Sequence, residues 1–496
     1  MNRRKFLEYL AIAAAAGTLG AVGLDYYATR DSRTVNTSTS FSSSTTNAFS
    51  NYPPVYSEFL NWLGSVAKPY AGEPVNIALE DEATPRAIQK RDVDFFTASQ
   101  INSQYNIQPY QLLLQQISLM VNTKSSSYDV FEVDHQDVSF FKDSILSPTQ
   151  LAEKYPDLTY EPFKSIDFQQ LPWSVLATYP PTVIGDSPAS QATPTSSSSD
   201  QIVFIPLDLP IMVQIYRDDI YKSRGLSAAA NWSQYLSNAK ALDQSTSIRF
   251  GTSSGAGPTV SAVYEFANHL ASFGGQLWEF DGTQLTSGLS SSQALSALEN
   301  FASLVPYSDP ASYTYDWSQV ATDISRGYAS AGLDWYDYSY LLESPSTSFV
   351  AGEVGFAQNP SGPMGSFSTY GGGGIGVSAY SKHPEAAWLW LQWATAYGTQ
   401  LMMVTDTFHV LPTRTAVLQD PSIQNSLNGS DYQALQVASQ IWKTNDVFAL
   451  TPFPKWWNAL NIIDFHLSQV FANLETPESS LQTMVQQIEK LGTLIF

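Results

Sequence analysis

One recurring arrangement limits what this chain can become: a short apolar strand that ends in acids and is followed by helical spacing. Val75, Ile77 and Leu79 alternate and run into Glu80, Asp81 and Glu82. Residues 128–133 repeat the pattern and end in Asp134 and His135. Residues 202–206 repeat it again and end in Leu207 and Asp208. Helical segments lie between and after these strands. From Pro384 to Ala396 a proline opens the segment, and Ala386, Ala387, Trp390 and Leu391 fall at helical spacing. From Ser479 to Leu491 one face carries Leu481, Met484, Val485, Ile488 and Leu491. Strands alternating with helices predict α/β architecture with open, mostly parallel sheets flanked by helices. Ligands of such sheets bind beyond the carboxyl ends of the strands. The acids and the histidine at those ends are therefore the first candidates for a site.

At 496 residues the chain exceeds the roughly 250–300 that one core sustains, so at least two cores are expected. Charged residues make up 14%, against about 25% in ordinary soluble domains. Ser, Thr, Asn, Gln and Tyr take their place. The net charge of -21 leaves no basic footprint for a nucleic acid. Few ion pairs and many neutral hydrogen-bonding groups suit an acidic exterior, where carboxylates protonate. The chain has no cysteine. Disulfides, thiolate metal sites, a cysteine nucleophile and a lipidated N-terminal cysteine are thereby excluded.

Arg3 and Arg4 precede a weakly apolar run from Leu10 to Leu24. That order reads as a twin-arginine export signal. At about 15 residues the run is short for a span of about 20. Residues 1–33 are read as an export signal or membrane tether, with no clear Ala-x-Ala cleavage site after the apolar run. Residues 34–50 are rich in Ser and Thr and cannot bury a core, so 34–73 are assigned to a stalk. Glycosylation sequons occur at Asn36, Asn231 and Asn428. Residues 187–200 form a Ser/Pro-rich surface loop. Together these features put a globular body outside the cell, on the outer face of its membrane.

The segment GTSSG at 251–255 fits the pattern of a nucleophile elbow. In a Ser- and Gly-rich chain it reads better as a loop lining a cleft, with Ser253 and Ser254 facing a ligand. Gly371–Gly374 lack the spacing of a phosphate loop and suit a hinge. His135, His269, His383, His409 and His466 show no metal-binding spacing. Of these, His135 stands out at its strand end. No cofactor, metal or catalytic set is expected. The aromatic residues are more informative. Trp278, Trp335, Tyr336, Tyr338, Trp456 and Trp457 fall near turns and element ends. Flat rings pack against the apolar faces of sugars, while acids and amides take their hydroxyls. A carbohydrate ligand is the reading that uses both sets.

Several blocks also resemble one family. FIPLDLP at 204–210 with YRDDIY at 216–221 resembles its crossover strand. ASFGGQLWEFDG at 271–282 and GLDW at 332–335 resemble its GG turn and its ligand loop. GIGVSAYSKHPEAA at 374–387 and HVLPTR at 409–414 resemble its returning strand, helix and following segment. In that order and spacing, the chain from Pro74 onward is similar to extracellular solute-binding proteins of carbohydrate ABC transporters, the group that includes maltose-binding protein. The resemblance implies a two-lobed, periplasmic-binding-protein-like fold. It divides the chain into lobe 1 at 74–207 and 373–415, and lobe 2 at 208–372 and 416–496. A sugar or oligosaccharide would sit in the cleft, the lobes would close on it, and a membrane permease would receive it. Carried over by position, Glu80, Asp81, Glu82, Asp134, His135, Asp208, Ser253, Ser254, Trp335, Tyr336, Trp456 and Trp457 would contact the ligand. A secreted glycosidase, or a surface-layer or adhesion protein, are the rival readings.

Overall fold

The computed structural model describes residues 49–164, 167–182, 186, 201–245, 247–281, 283–404, 408, 410–427 and 433–494. The expected signal, the tract at 34–48, the loop at 187–200, the sequons at Asn36 and Asn428, and His409 lie outside these residues. Asn231 is described and exposed, and its side chain caps the helix Trp232–Leu242 by accepting from Gln234 N. No described helix is long and apolar enough to cross a membrane.

The fold begins earlier than the sequence suggested. Residues 54–66, assigned above to a stalk, form a helix with a proline at its first position. Tyr56, Phe59, Leu60 and Leu63 recur on one face and enter a core with Val75, Ile77 and Leu79. Trp388, Trp390 and Trp393 of the helix Pro384–Ala394 complete that core, and Trp393 Nε1 donates to Tyr56 Oη at 3.2 Å. A periodic apolar face outweighs the polar residues around it, so the stalk reading fails for this stretch.

The protein is a two-lobed α/β molecule. The sheet of the first lobe runs in the order Asn102–Gln108, Pro74–Glu80, Val130–Asp134, Gly373–Ser378, Ile145–Leu146, and Ile205–Pro206 also pairs with Gly373–Ser378. Its first three strands are parallel, and every pair made by Gly373–Ser378 is antiparallel. In the second lobe Met212–Arg217 pairs antiparallel with both Ala331–Trp335 and Val354–Ala357. The sheets are thus mixed where a mostly parallel pairing was expected. Chain segments that re-enter a sheet from the other lobe arrive running the opposite way.

The second lobe closes over its own core. Trp278, Phe301, Phe453, Trp456, Leu460 and Met484 belong to it, with the helices Ser261–Ser272, Trp456–Phe471 and Pro477–Glu489. A third cluster, including Phe204, Val213, Tyr336 and Tyr370, runs along the connections between lobes. Two of those connections lie side by side. Leu207 N donates to Gly373 O at 3.0 Å, Gly371 N to Pro210 O at 3.2 Å, and Gly373 N to Asp208 Oδ1 at 2.8 Å.

Gly371–Gly374 serve close approach rather than looseness. Gly373 and Gly374 are strand residues. A Cβ on Gly371 would lie 2.4 Å from Trp335 Cη2, and one on Gly372 would lie 2.6 Å from Asp208 Oδ1. The hinge expected there is a tightly packed crossover that only glycine fits.

Candidate functional site

Parallel pairing of Pro74–Glu80 with Val130–Asp134 brings their carboxyl ends to one edge of the first lobe. Glu80 stands there with Glu132, Asp134, His135, Gln136 and Asp137, all buried. Glu80 N donates to Glu132 Oε2 at 2.8 Å. Gln136 Nε2 donates to Asp134 Oδ2 at 2.9 Å and to Tyr110 Oη at 3.0 Å. Tyr110, at the start of the helix Tyr110–Thr123, donates in turn to Asp137 Oδ2 at 2.9 Å.

The second lobe meets this edge with rings. Tyr264 Oη donates to Gln136 Oε1 at 2.7 Å, and Trp457 Nε1 donates to Asp137 Oδ1 at 2.7 Å. Tyr264 packs edge-on to Trp335 at 5.5 Å between centroids, and Trp317 lies 5.8 Å from Trp335 and 6.1 Å from Tyr110. His135 stacks on Tyr370 at 5.4 Å. Rings from one lobe and carboxyls from the other therefore share one seam. The cavity behind it, lined by Glu80, Tyr110, Glu132, Asp134 and Asp137 among others, measures about 10 Å³. That is on the order of one water-sized sphere and lies within the first lobe; the direct hydrogen bonds of Tyr264 and Trp457 across the seam show the lobes closed on one another.

Burial dominates the electrostatics of the seam. It raises Glu80 and Asp134 well above the ordinary carboxylate range, and neighbouring acids add to the shift. Glu82 and Glu132 are raised for the same reasons. Burial raises Asp137 to about 7, opposed by the hydrogen bonds from Trp457 and Tyr110. It raises Asp208 to about 6, against the hydrogen bond from Gly373 N. Asp337, facing from the second lobe, is raised to about 7 by burial and by Asp208. Burial lowers His135 to about 4.

Seven of the sequence-predicted residues meet at this seam or beside its crossover: Glu80, Glu82, Asp134, His135, Asp208, Trp335 and Trp457. The others stand elsewhere. Asp81 is turned to Arg86, which pairs with it at 2.7 Å. Ser253 is fully buried in the second lobe and donates to Asp323 Oδ2 at 2.9 Å, so the GTSSG segment presents neither a nucleophile nor a ligand contact there. Ser254, equally buried, lies against Glu265. Tyr336 is held in the connections, its Oη accepting from Leu411 N at 2.8 Å. Trp456 and Trp278 are sealed in the second core. Tyr110, Glu132, Gln136, Asp137, Tyr264, Trp317 and Asp337 were missed. Only Asp137 left a signal, as a further acid just past the second strand end.

No grouping of acids and histidines among the described residues has the geometry to hold a metal ion. Residues 78–401 match the family model of the bacterial extracellular solute-binding proteins. The chain belongs to this family. A probable amino-acid ABC transporter periplasmic-binding protein of Sinorhizobium fredii is 20% identical over 429 residues, which is 86% of this chain and 90% of the relative. The maltose-bound MalE3 of T. maritima superposes with a TM-score of 0.69 at 18% identity, over 85% of this solute-binding protein and 100% of that chain. A solute-binding protein of Agrobacterium radiobacter in complex with ribitol gives 0.68 at 18% identity, over 85% and 99%. The seam lies where two lobes of a solute-binding protein meet. It combines flat rings with hydrogen-bond acceptors and lacks a metal grouping among the described residues.

Proposed function

We propose that this protein is the substrate-binding subunit of an ABC importer and captures a sugar or a polyol between its lobes. One observation carries the proposal: Tyr264 and Trp457 of the second lobe hydrogen-bond Gln136 and Asp137 of the first, with Trp317 and Trp335 packed on Tyr264 and Asp134 bonded to Gln136. Rings offer apolar area worth roughly 25 cal/mol per Å² buried. Carboxyls and the amide take hydroxyl groups, and an unpaired one costs about 1–3 kcal/mol, which sets specificity. Glu80, Glu82, Asp134, His135, Asp208, Trp335 and Trp457 are the sequence-predicted contacts retained in this site. The relatives bound to maltose and to ribitol support a polyhydroxylated ligand. No catalytic residue is assigned.

Capture works by closure. The ligand binds the closed arrangement more tightly than the open one and shifts the population toward it. A permease in the membrane then receives the closed form. The twin arginines and apolar run at the N-terminus support export and tethering on the outer face of the membrane. A thermal-shift screen against monosaccharides, oligosaccharides and polyols tests the proposal, because a specific ligand raises the melting temperature by mass action. A screen in which no carbohydrate or polyol shifts it, while an amino acid does, replaces the ligand class.

A further inference from the structure

Among the described residues the seam gathers acids from both lobes, all but the half-buried Glu82 buried, with no cation among them. The first strand contributes Glu80, the turn after it Glu82, and the second strand Glu132 and Asp134. Asp137 follows on the turn His135–Asp137. Asp208 lies on the crossover and Asp337 comes from the second lobe. Among the described residues none of these seven is joined to a lysine or arginine; Arg86, one turn along from Glu82, is held by Asp81. Other titratable groups facing the cluster include Tyr110, Tyr264, Tyr336, Tyr338, Tyr340 and Tyr370, whose hydroxyls burial holds protonated, Asp334 beside Asp337, and His135. Asp186 adds a further acid on the second-lobe side, accepting from Thr451 N at 2.8 Å. Asp208 Oδ1 accepts from Gly373 N at 2.8 Å, and its buried Oδ2 has no hydrogen-bond partner among the described residues.

Opening the lobes returns these acids to water, where they ionise at ordinary carboxylate values near 4. Closing them with their charges on would bury like charges at short range without a counter-ion. We propose that closure of the cleft takes up protons, so that the solute is gripped more tightly in acid than at neutral pH. This rests on the seam being the solute site.

The direction follows from linkage. The closed form holds the acids at raised values, among them Asp208 at about 6 and Asp137 at about 7. Between those values and about 4, the closed form binds more protons than the open one, and falling pH favours closure. His135 acts the other way. Held at about 4 in the closed form and near 6.5 when exposed, it is protonated first in the open form and so opposes closure as pH falls from about 6.5 to about 4. The acids outnumber it, so closure still strengthens into mild acid.

Small-angle scattering of the full-length protein without ligand, from pH 8 to pH 5, tests this. The radius of gyration is expected to fall with pH. The closed-to-open ratio should change about tenfold per pH unit for each proton taken up. The double variant Asp137→Asn, Asp208→Asn, with its charges removed, should be closed already at pH 8 and respond less. A radius that is unchanged or larger at pH 5 in the unaltered protein overturns the proposal. Titration with maltose and with ribitol at both pH values separates it from the functional assignment. Binding of equal strength at pH 5 and pH 8 leaves the sugar receptor standing and removes the proton coupling. A radius that falls while neither probe binds keeps the coupling and counts against the ligand class.

Discussion

Trp457 Nε1 of the second lobe donates to Asp137 Oδ1 of the first at 2.7 Å, and Tyr110 Oη takes the other carboxyl oxygen at 2.9 Å. Asp137 is fully buried, so both of its acceptors are satisfied only while the lobes are together. Trp457→Phe keeps a ring and removes the donor. A hydrogen bond to a charged or strongly polar group is worth about 1.5–3 kcal/mol. Solute affinity is expected to fall about tenfold or more, and the radius of gyration to rise, with the melting temperature nearly unchanged. An unaltered radius and affinity would show that this bond does not hold the lobes.

Trp335 and Gly371 form a matched pair. The indole fills the space a side chain would need, since a Cβ on Gly371 would stand 2.4 Å from its Cη2. Gly371→Ala is expected to cost about 1–3 kcal/mol by overpacking. Trp335→Phe should return part of that loss, and a double-mutant cycle in urea measures the coupling. Strictly additive effects would mean that the two sites do not press on each other. Trp335→Ala alone should weaken solute binding in calorimetry while the protein stays folded.

How much of this was legible beforehand depended on distance along the chain. The strands from Val75 and from Tyr128 show their acids because alternation and strand end are local signals, and Glu80 and Asp134 lie side by side as parallel ends must. Trp456 and Trp457 were not separable. Neighbours on a helix point about 100° apart, and only packing decides that Trp456 enters the core while Trp457 faces the other lobe. Ser253 was misplaced because Gly and Ser fit a loop and a buried edge equally well; its partner, Asp323, lies 70 residues away. Tyr110, Gln136 and Tyr264 converge only when the lobes meet. The helix at 54–66 was legible in its Tyr56, Phe59, Leu60 and Leu63 spacing, and the Ser/Thr tract before it obscured that signal.

Asp464 caps a helix from a distance. Its Oδ2 accepts from Val260 N at 2.7 Å and its Oδ1 from Val263 N at 3.2 Å, at the start of Ser261–Ser272. That helix carries Tyr264 to the seam. Asp464→Ala removes the partner of Val260 N, while Val263 N keeps its bond to Val260 O at 3.1 Å, and losing a cap of this kind costs about 1–2 kcal/mol. The urea midpoint should drop accordingly. Asp464→Asn, which keeps an acceptor, should lose less. Equal losses in the two variants would mean that packing rather than capping is at stake.

Stability should also rise as the medium turns acid. Burial raises Glu265 and Asp464 to about 8, and Asp186 to about 7. Each is held above its unfolded value near 4. The stability such a group contributes is complete below the unfolded value and is lost as pH rises through the folded one. Buried histidines work in the opposite sense. His269 is lowered to about 3 and His135 to about 4, so each withdraws stability as pH falls below its unfolded value of about 6.5. Between pH 8 and about 6.5 only the acids act, and the melting temperature is expected to climb. Below that the acids still outnumber the two histidines, and the climb should continue to about pH 5. The profile measured by calorimetry should flatten in Glu265→Gln. A melting temperature highest at pH 8 would mean that these acids stay ionised inside the fold, and the low share of charged residues would then need a different cause than an acidic exterior.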